Sequence, residues 1–350
     1  MKSQDNFKYE GMQTVDERLE NIKHWLTSSL GLNAQGIAPA SSDASFRRYF
    51  RIFDGGISYI VMDAPPNLED CRQFIKVARA FHDMDMNVPL IHEQDLKQGF
   101  LLLSDLGDQQ YLSVLDESNV EQLYGDALEA LYRLQVGSQG QERFLPPYDK
   151  ALMYREVRLF DEWFLTKYLD VRLSDEQSEM LEGAYQFLIT EALQQPKSWV
   201  HRDYHSRNLM LCEQDNPGVL DFQDAVYGPV TYDLVSLLKD CYIHWPRERV
   251  VAWVRSYYER IEGELDLEGY DEKAFLRAFD IMGAQRHLKA IGIFARLKMR
   301  DDKPGYLKDI PRTLNYVCEV AGAFSELTEF HVFLVESVLP KMARVASARI

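Results

Sequence analysis

Along this chain the period of the hydrophobic pattern changes once, near residue 105, and no other feature constrains the fold as strongly. Phe46 to Phe53 alternates aromatic and basic residues, Gly55-Gly56 marks a turn, and Ile57 to Met62 is a second apolar run. That segment predicts a β-hairpin. Val88 to His92 and Phe100 to Leu103 predict two more strands around the polar turn Glu93 to Gly99. Helical spacing occurs before the break only at Val15 to Leu30 and Leu68 to Met84. Beyond it, helical patterns dominate: Val120 to Leu134, Leu152 to Leu169, Asp175 to Leu193, Glu248 to Glu262, Glu272 to Arg300 and Pro311 to Ser337, the last two with breaks. The chain is therefore expected to be α+β and bilobal: a small antiparallel-sheet lobe over 1–105 and a larger, mainly helical lobe over 106–350.

The length of 350 residues suits two such units. With 39 basic against 55 acidic side chains the net charge is -16, which argues against a nucleic-acid partner, because that binding needs a basic surface. Cys71, Cys212, Cys241 and Cys318 are irregularly spaced and form no Cys-x-x-Cys pair, so reduced thiols are expected rather than a disulfide framework or a zinc site. The polar, acidic start of the chain lacks the apolar core of a signal peptide, and no run of about 18 apolar residues occurs. A cytoplasmic protein without a membrane partner is the expectation.

One short island interrupts the helical half, from Trp199 to Phe222. It reads His201-Arg202-Asp203-Tyr204-His205-Ser206-Arg207-Asn208-Leu209-Met210, and Asp221-Phe222-Gln223-Asp224 follows. An Asp, an Asn five residues on, and a second Asp after a short strand suit phosphoryl transfer. One carboxylate can orient an attacking hydroxyl and accept its proton. An amide oxygen and a second carboxylate can hold magnesium, a hard cation that prefers oxygen ligands.

This segment resembles the catalytic and metal loops of the aminoglycoside phosphotransferase family, relatives of the protein kinases. The family usually shows His-Gly-Asp-x-His-x-x-Asn and then Asp-Phe or Asp-Trp; here Arg202 replaces the glycine. Four stretches together resemble, within that family, the anomeric N-acetylmuramate/N-acetylglucosamine kinases of bacterial cell-wall recycling. They are Ser42 to Arg51, Val61 to Pro66, His201 to Met210 and Asp221 to Pro229. The resemblance implies a protein-kinase-like fold, ATP and Mg2+ as cofactors, and an amino sugar as acceptor. By position it makes Asp203 the catalytic base, Asn208 and Asp221 the magnesium ligands, His201 a structural support of the loop, and Asp233 the acid that accepts hydrogen bonds from the loop backbone.

For the nucleotide, the resemblance points to a phosphate-covering turn over Ala40 to Ser45, with Ser42 and Ser45 in contact, and to a hinge in which Ser104, Asp105 and Leu106 meet the adenine. The turn has no glycine, and the third strand, Ile57 to Asp63, lacks the expected lysine. An arginine among Arg47, Arg48 and Arg51 is expected to substitute, with Arg48 assigned. Glu69 would be the acid that otherwise pairs with that lysine.

For the acceptor, sugar sites combine polar groups with an aromatic wall. Tyr204, His205, Arg207, Asp224, Tyr227 and Arg286 are the candidates. A lactyl carboxylate calls for an arginine, Arg207 or Arg286. Two rival readings remain at this point: a kinase for another small alcohol such as an aminoglycoside or choline, and a pseudokinase that only binds. A protein kinase is disfavoured because no Ala-Pro-Glu segment follows Asp221.

Overall fold

The computed structural model describes residues 16–42 and 46–347. It divides into two compact units, one formed by residues up to 76 together with 89–105, the other by 77–88 together with the chain from 106 onward.

In the first unit, helix α1 (Glu17–His24) starts at Asp16, whose side chain accepts from the Leu19 N–H, and runs on into a π-helical turn over Trp25–Ser29. Five antiparallel strands follow in the spatial order β1-β2-β3-β5-β4: β1 (Ala38–Ser42), β2 (Arg48–Asp54), β3 (Ile57–Asp63), β4 (Ile91–Asp95) and β5 (Phe100–Ser104). The predicted hairpin is β2-β3, paired from Arg48 opposite Asp63 to Asp54 opposite Ile57. Its turn needs two residues with positive φ, and Gly55 (φ 56°) and Gly56 (φ 86°) supply them without steric cost. The apolar face of α1 and its extension, Ile22, Trp25 and Leu26, packs on Phe50, Ile52, Val61, Phe100 and Leu102. Asp63, fully buried at the end of β3, takes Arg18 from α1 and Arg48 from β2. Strand β1 is a departure from expectation: Ser41 and Ser42 pair with Tyr49 and Arg48, so part of the expected phosphate turn is sheet edge. Ser45 lies outside the described residues.

Helix α2 (Cys71–His82) begins in the first unit, and its last turns belong to the second. The sequence boundary at 105 did not anticipate that 77–88 belong there; the reason is Phe81, whose ring packs on Trp199, His201 and Phe222.

The second unit contains α3 (Tyr111–Val114), α4 (Val120–Gly137), α5 (Lys150–Leu159), which continues as a π-helical stretch over Phe160–Tyr168, and α6 (Asp175–Gln194). The island then forms β6 (Lys197–Val200), β7 (Leu209–Met210), β8 (Gly218–Val219) and β9 (Val226–Pro229). Helices α7 (Tyr232–Leu238), α8 (Arg247–Ile261), α9 (Glu272–Asp301), α10 (Ile310–Ala323), α11 (Thr328–Phe333) and α12 (Leu339–Ser347) complete it. The spine is α9, 30 residues long and buried through its middle. The sequence pattern predicts breaks in this stretch. The helix is instead continuous, and its polar Gln285, Arg286, His287 and Lys289 are buried. It passes close to the start of the π-helical stretch at Gly292, where a Cβ would come within 2.3 Å of the Leu159 backbone. Among the described residues, no helix is long and apolar enough to cross a membrane.

Candidate active site

The island is two nested hairpins. β6 pairs with β9, Trp199 opposite Tyr227, and encloses the ladder in which β7 pairs with β8, Leu209 opposite Val219. Asn208 immediately precedes β7, and Asp221 follows β8 by one residue, so the inner ladder brings the two together. The Leu220 N–H donates to the Asn208 carbonyl at 2.9 Å, and Asn208 Nδ2 reaches Asp221 Oδ2 at 3.4 Å. Gln223 Nε2 donates to the other Asp221 oxygen at 2.7 Å. Asn208 Nδ2 also donates to the Asp203 carbonyl at 3.0 Å, which closes the loop on itself. The side chains of Asn208 and Asp221 therefore meet, and the Asp203 backbone is tied to the same amide.

The loop is pinned from outside by two buried carboxylates. Asp233 Oδ2 accepts from the His201 N–H at 2.6 Å, and Oδ1 from the Arg202 N–H at 3.0 Å. Asp233 lies in the first turn of α7, yet its side chain is committed to the loop rather than to the helix end. Burial pushes its pKa up to about 7 against those two donors. Asp240, just beyond α7, accepts from both the N–H and the hydroxyl of Ser206. No local sequence signal marked Asp240. His201 is fully buried, and burial lowers its pKa to about 4, so the ring is neutral. Its Nδ1 accepts from the Asp203 N–H at 3.2 Å.

Arg202 has φ 78°, a left-handed conformation that costs a residue with a Cβ roughly 1–3 kcal/mol. The glycine usual at this position of the motif would adopt it freely. Here the side chain is held: its guanidinium pairs with Glu156 of α5 and donates to the Asp224 carbonyl at 3.1 Å. Glu156, buried, also takes the Tyr148 hydroxyl and Lys289 of α9. Lys289 in turn donates to the Tyr232 hydroxyl at 3.0 Å.

Asp203 sits inside this frame, and its carboxylate accepts no hydrogen bond from any described side chain or backbone group. Burial works against its ionisation, yet the field of Lys289, followed by His205, Arg286 and Arg202, holds its pKa down at about 2. An ionised carboxylate with open lone pairs is what a hydroxyl nucleophile needs. Lys289 and Arg286 lie three residues apart on α9 and so share a face. Sequence reasoning found Arg286 and missed Lys289 and Glu156, which lie far along the chain from Asp203.

The other expected residues are distributed differently. Tyr204 is a correction: it is completely buried, and its hydroxyl donates to the Ala127 carbonyl at 2.8 Å, so it is a core residue and cannot wall a sugar. Arg286 is 4% exposed, with its Nε lacking a hydrogen-bond partner among the described residues, and it faces Cys241. Asp224 is exposed, and Tyr227 is half-buried on β9. His205 packs edge-on against Tyr242. Arg207 lies over the rings of Tyr242 and Tyr306.

In the first unit each candidate arginine has a carboxylate. Arg47 pairs with Glu69 at 2.9 Å and Arg51 with Asp105 at 2.6 Å. Arg48 pairs with Asp63 and Asp16, so its guanidinium ties α1 to the sheet. That commitment counts against the nucleotide contact expected of it. The Ser104 hydroxyl accepts from the Leu90 N–H at 2.8 Å. Leu106, half-buried in the second unit, accepts from the Cys212 thiol at its carbonyl, at 3.6 Å.

A small antiparallel sheet, a helical unit carrying the island, and an ionised loop Asp beside an Asn–Asp pair define a protein-kinase-like small-molecule phosphotransferase. Solved structures share the fold. Aminoglycoside phosphotransferase APH(2'')-Ib, ADP-bound, aligns with a TM-score of 0.58 at 17% identity, over 88% of this chain and 99% of that one. Choline kinase LicA from Streptococcus pneumoniae aligns with a TM-score of 0.59 at 12% identity, over 86% and 98%. Residues 36–276 match the family model described as "Phosphotransferase enzyme family", and the chain belongs to that family. It is 47% identical to the N-acetylmuramate/N-acetylglucosamine kinase of Pseudomonas putida, over 93% of this chain and 98% of that protein. It is 43% identical to the kinase of the same name from Neisseria meningitidis, over 92% and 96%.

Proposed function

We propose that this protein transfers the γ-phosphoryl group of ATP to the anomeric hydroxyl of N-acetylmuramate and N-acetylglucosamine, in the cytoplasm. The observation that carries the reading is the unbonded, ionised carboxylate of Asp203 on a chain 43% to 48% identical, along nearly its whole length, to kinases of that name.

Asp203 accepts a hydrogen bond from the anomeric hydroxyl and aims its oxygen at the phosphorus. A carboxylate with a pKa near 2 is a weak base. It suits a loose transition state in which the proton leaves late and positioning supplies most of the rate. An anomeric hydroxyl is more acidic than an ordinary alcohol, which eases the transfer. Cations lead the field at Asp203, an unfavourable surrounding for a polycationic acceptor such as an aminoglycoside.

The Asn208 amide stands beside the Asp221 carboxylate, its Nδ2 3.4 Å from Asp221 Oδ2. An amide and a carboxylate side by side suit Mg2+, which prefers oxygen ligands, keeps several waters and takes further ligands from phosphates. Bound there, the ion would spread the charge of the triphosphate. For the nucleotide we assign Ser104, Asp105 and Leu106 to the adenine through their backbone groups, with Arg47, held by Glu69, in the role of the absent strand lysine.

Phosphorus NMR of a reaction with ATP, magnesium and each sugar tests the reading, because an anomeric phosphate couples to the sugar H1. Product on both sugars is expected, and its absence from both sinks the proposal. Asp203→Asn should lower turnover by about 10²–10⁴-fold while ADP still binds.

A further inference from the structure

Arg207 lies between Asp203 and the start of β7, next to Asn208, and neither the base nor the metal role requires it. Its guanidinium carbon is 4.8 Å from the centre of the Tyr242 ring and 5.1 Å from that of Tyr306. The Tyr306 ring stacks in turn on Phe294 of α9 at 5.6 Å, and Tyr242 packs on His205. Two aromatic rings therefore fix the planar group while it stays charged. Among the described residues no carboxylate pairs with it. The acidic neighbour, Asp309, is buried and held by Arg312 at 3.1 Å.

This differs from every other arginine near the island. Arg202 is matched by Glu156, and Arg286 is 4% exposed with its guanidinium on the Cys241 thiol. Arg207 is half-buried, and both tyrosines are partly open. The guanidinium lies over both rings and also hydrogen-bonds with the side chains of Tyr242 and Tyr306, and its five N–H donors leave others to take a carboxylate. The arrangement is a prepared site for an organic anion.

We propose that Arg207, flanked by Tyr242 and Tyr306, is the subsite that binds the lactyl carboxylate of N-acetylmuramate and so sets the preference between the acidic and the neutral sugar. The assignment rests on the function proposed above. The lactyl ether that carries the carboxylate is on the C3 oxygen, two ring carbons from the anomeric centre, and Arg207 belongs to the same short loop as Asp203. The tyrosines supply the apolar wall against the sugar and the lactyl methyl group.

The test is the ratio of kcat/KM for N-acetylmuramate to that for N-acetylglucosamine, in the wild type and in Arg207→Gln. The ratio should fall by about 10- to 100-fold, the value of one charge-assisted pair, mostly through KM. Arg207→Lys keeps the charge without the fork and should lie between the two; it also serves if the Gln variant does not fold. An unchanged ratio in the folded variants, including an equal loss on both sugars, overturns the subsite and leaves the kinase reading intact. A wild type inactive on both sugars overturns both.

Discussion

Asp233 and Asp240 stand seven residues apart, at the two ends of α7, and between them hold both ends of the catalytic loop. The first takes the N–H groups of His201 and Arg202, and the second takes Ser206. Asp203 is therefore suspended between one anchor in the first turn of α7 and another just past its end, and any shift of α7 is transmitted to the nucleophile's partner.

Asn in place of Asp233 offers one acceptor where two N–H groups need two. Asp233→Asn should lower kcat by about 10²-fold, the scale of a misplacement near 1 Å, while the KM for ATP changes much less. Asp240→Asn should do the same more mildly, since the Ser206 hydroxyl can rotate. Steady-state kinetics of both variants checks this, and a large rise in nucleotide KM with kcat unchanged would contradict it.

The pH response follows from the field at Asp203. Its pKa is depressed from 3.8 to about 2, so its ionised form stabilises the fold above about pH 4, and that contribution is lost as pH falls toward 2. Asp233 has the opposite sign. Its pKa is raised to about 7, so its contribution is full below about pH 4 and declines as pH rises through 7. Lys289→Met removes the leading cation and lets burial dominate at Asp203. The acid limb of the kcat/KM profile should move to higher pH; a limb that stays in place would exclude Lys289 as the group that keeps Asp203 ionised.

Gly292 is where α9 passes close to the Leu159 backbone. Gly292→Ala adds a methyl group that only backbone movement can accommodate, at a cost of about 1–3 kcal/mol. Because α9 carries Arg286 and Lys289, activity should fall together with Tm. Thermal unfolding and turnover measure the two effects, and an unaltered Tm would show that the approach is looser than 2.3 Å implies.

The Arg47–Glu69 pair makes a claim about the nucleotide. If Arg47 replaces the strand lysine, Arg47→Ala should raise the KM for ATP by about tenfold, a cost near 1.4 kcal/mol, with the sugar KM little affected. Glu69→Gln should give a smaller effect of the same kind. Titration with ADP gives the same comparison without turnover, and an unchanged affinity would remove Arg47 from the site.

What the sequence determined by itself was whatever the backbone period or a short loop encodes. The β2-β3 hairpin follows from alternation around Gly55-Gly56, and the extent of α9, though not its continuity, from its spacing. Asp203, Asn208 and Asp221 could be picked out because a few turns of one island bring them together, with Asn208 and Asp221 only 13 residues apart. The tertiary structure alone decided which charge meets which. Arg48 turned to Asp63 and Asp16, Arg47 to Glu69, and Arg202 found Glu156 at a separation of 46 residues. Lys289 and Asp240, which tune and hold the loop, left no trace in the local pattern. Periodicity reports which face of an element is buried, whereas a buried ion pair depends on elements distant in sequence that packing brings together, and no local spacing encodes that encounter.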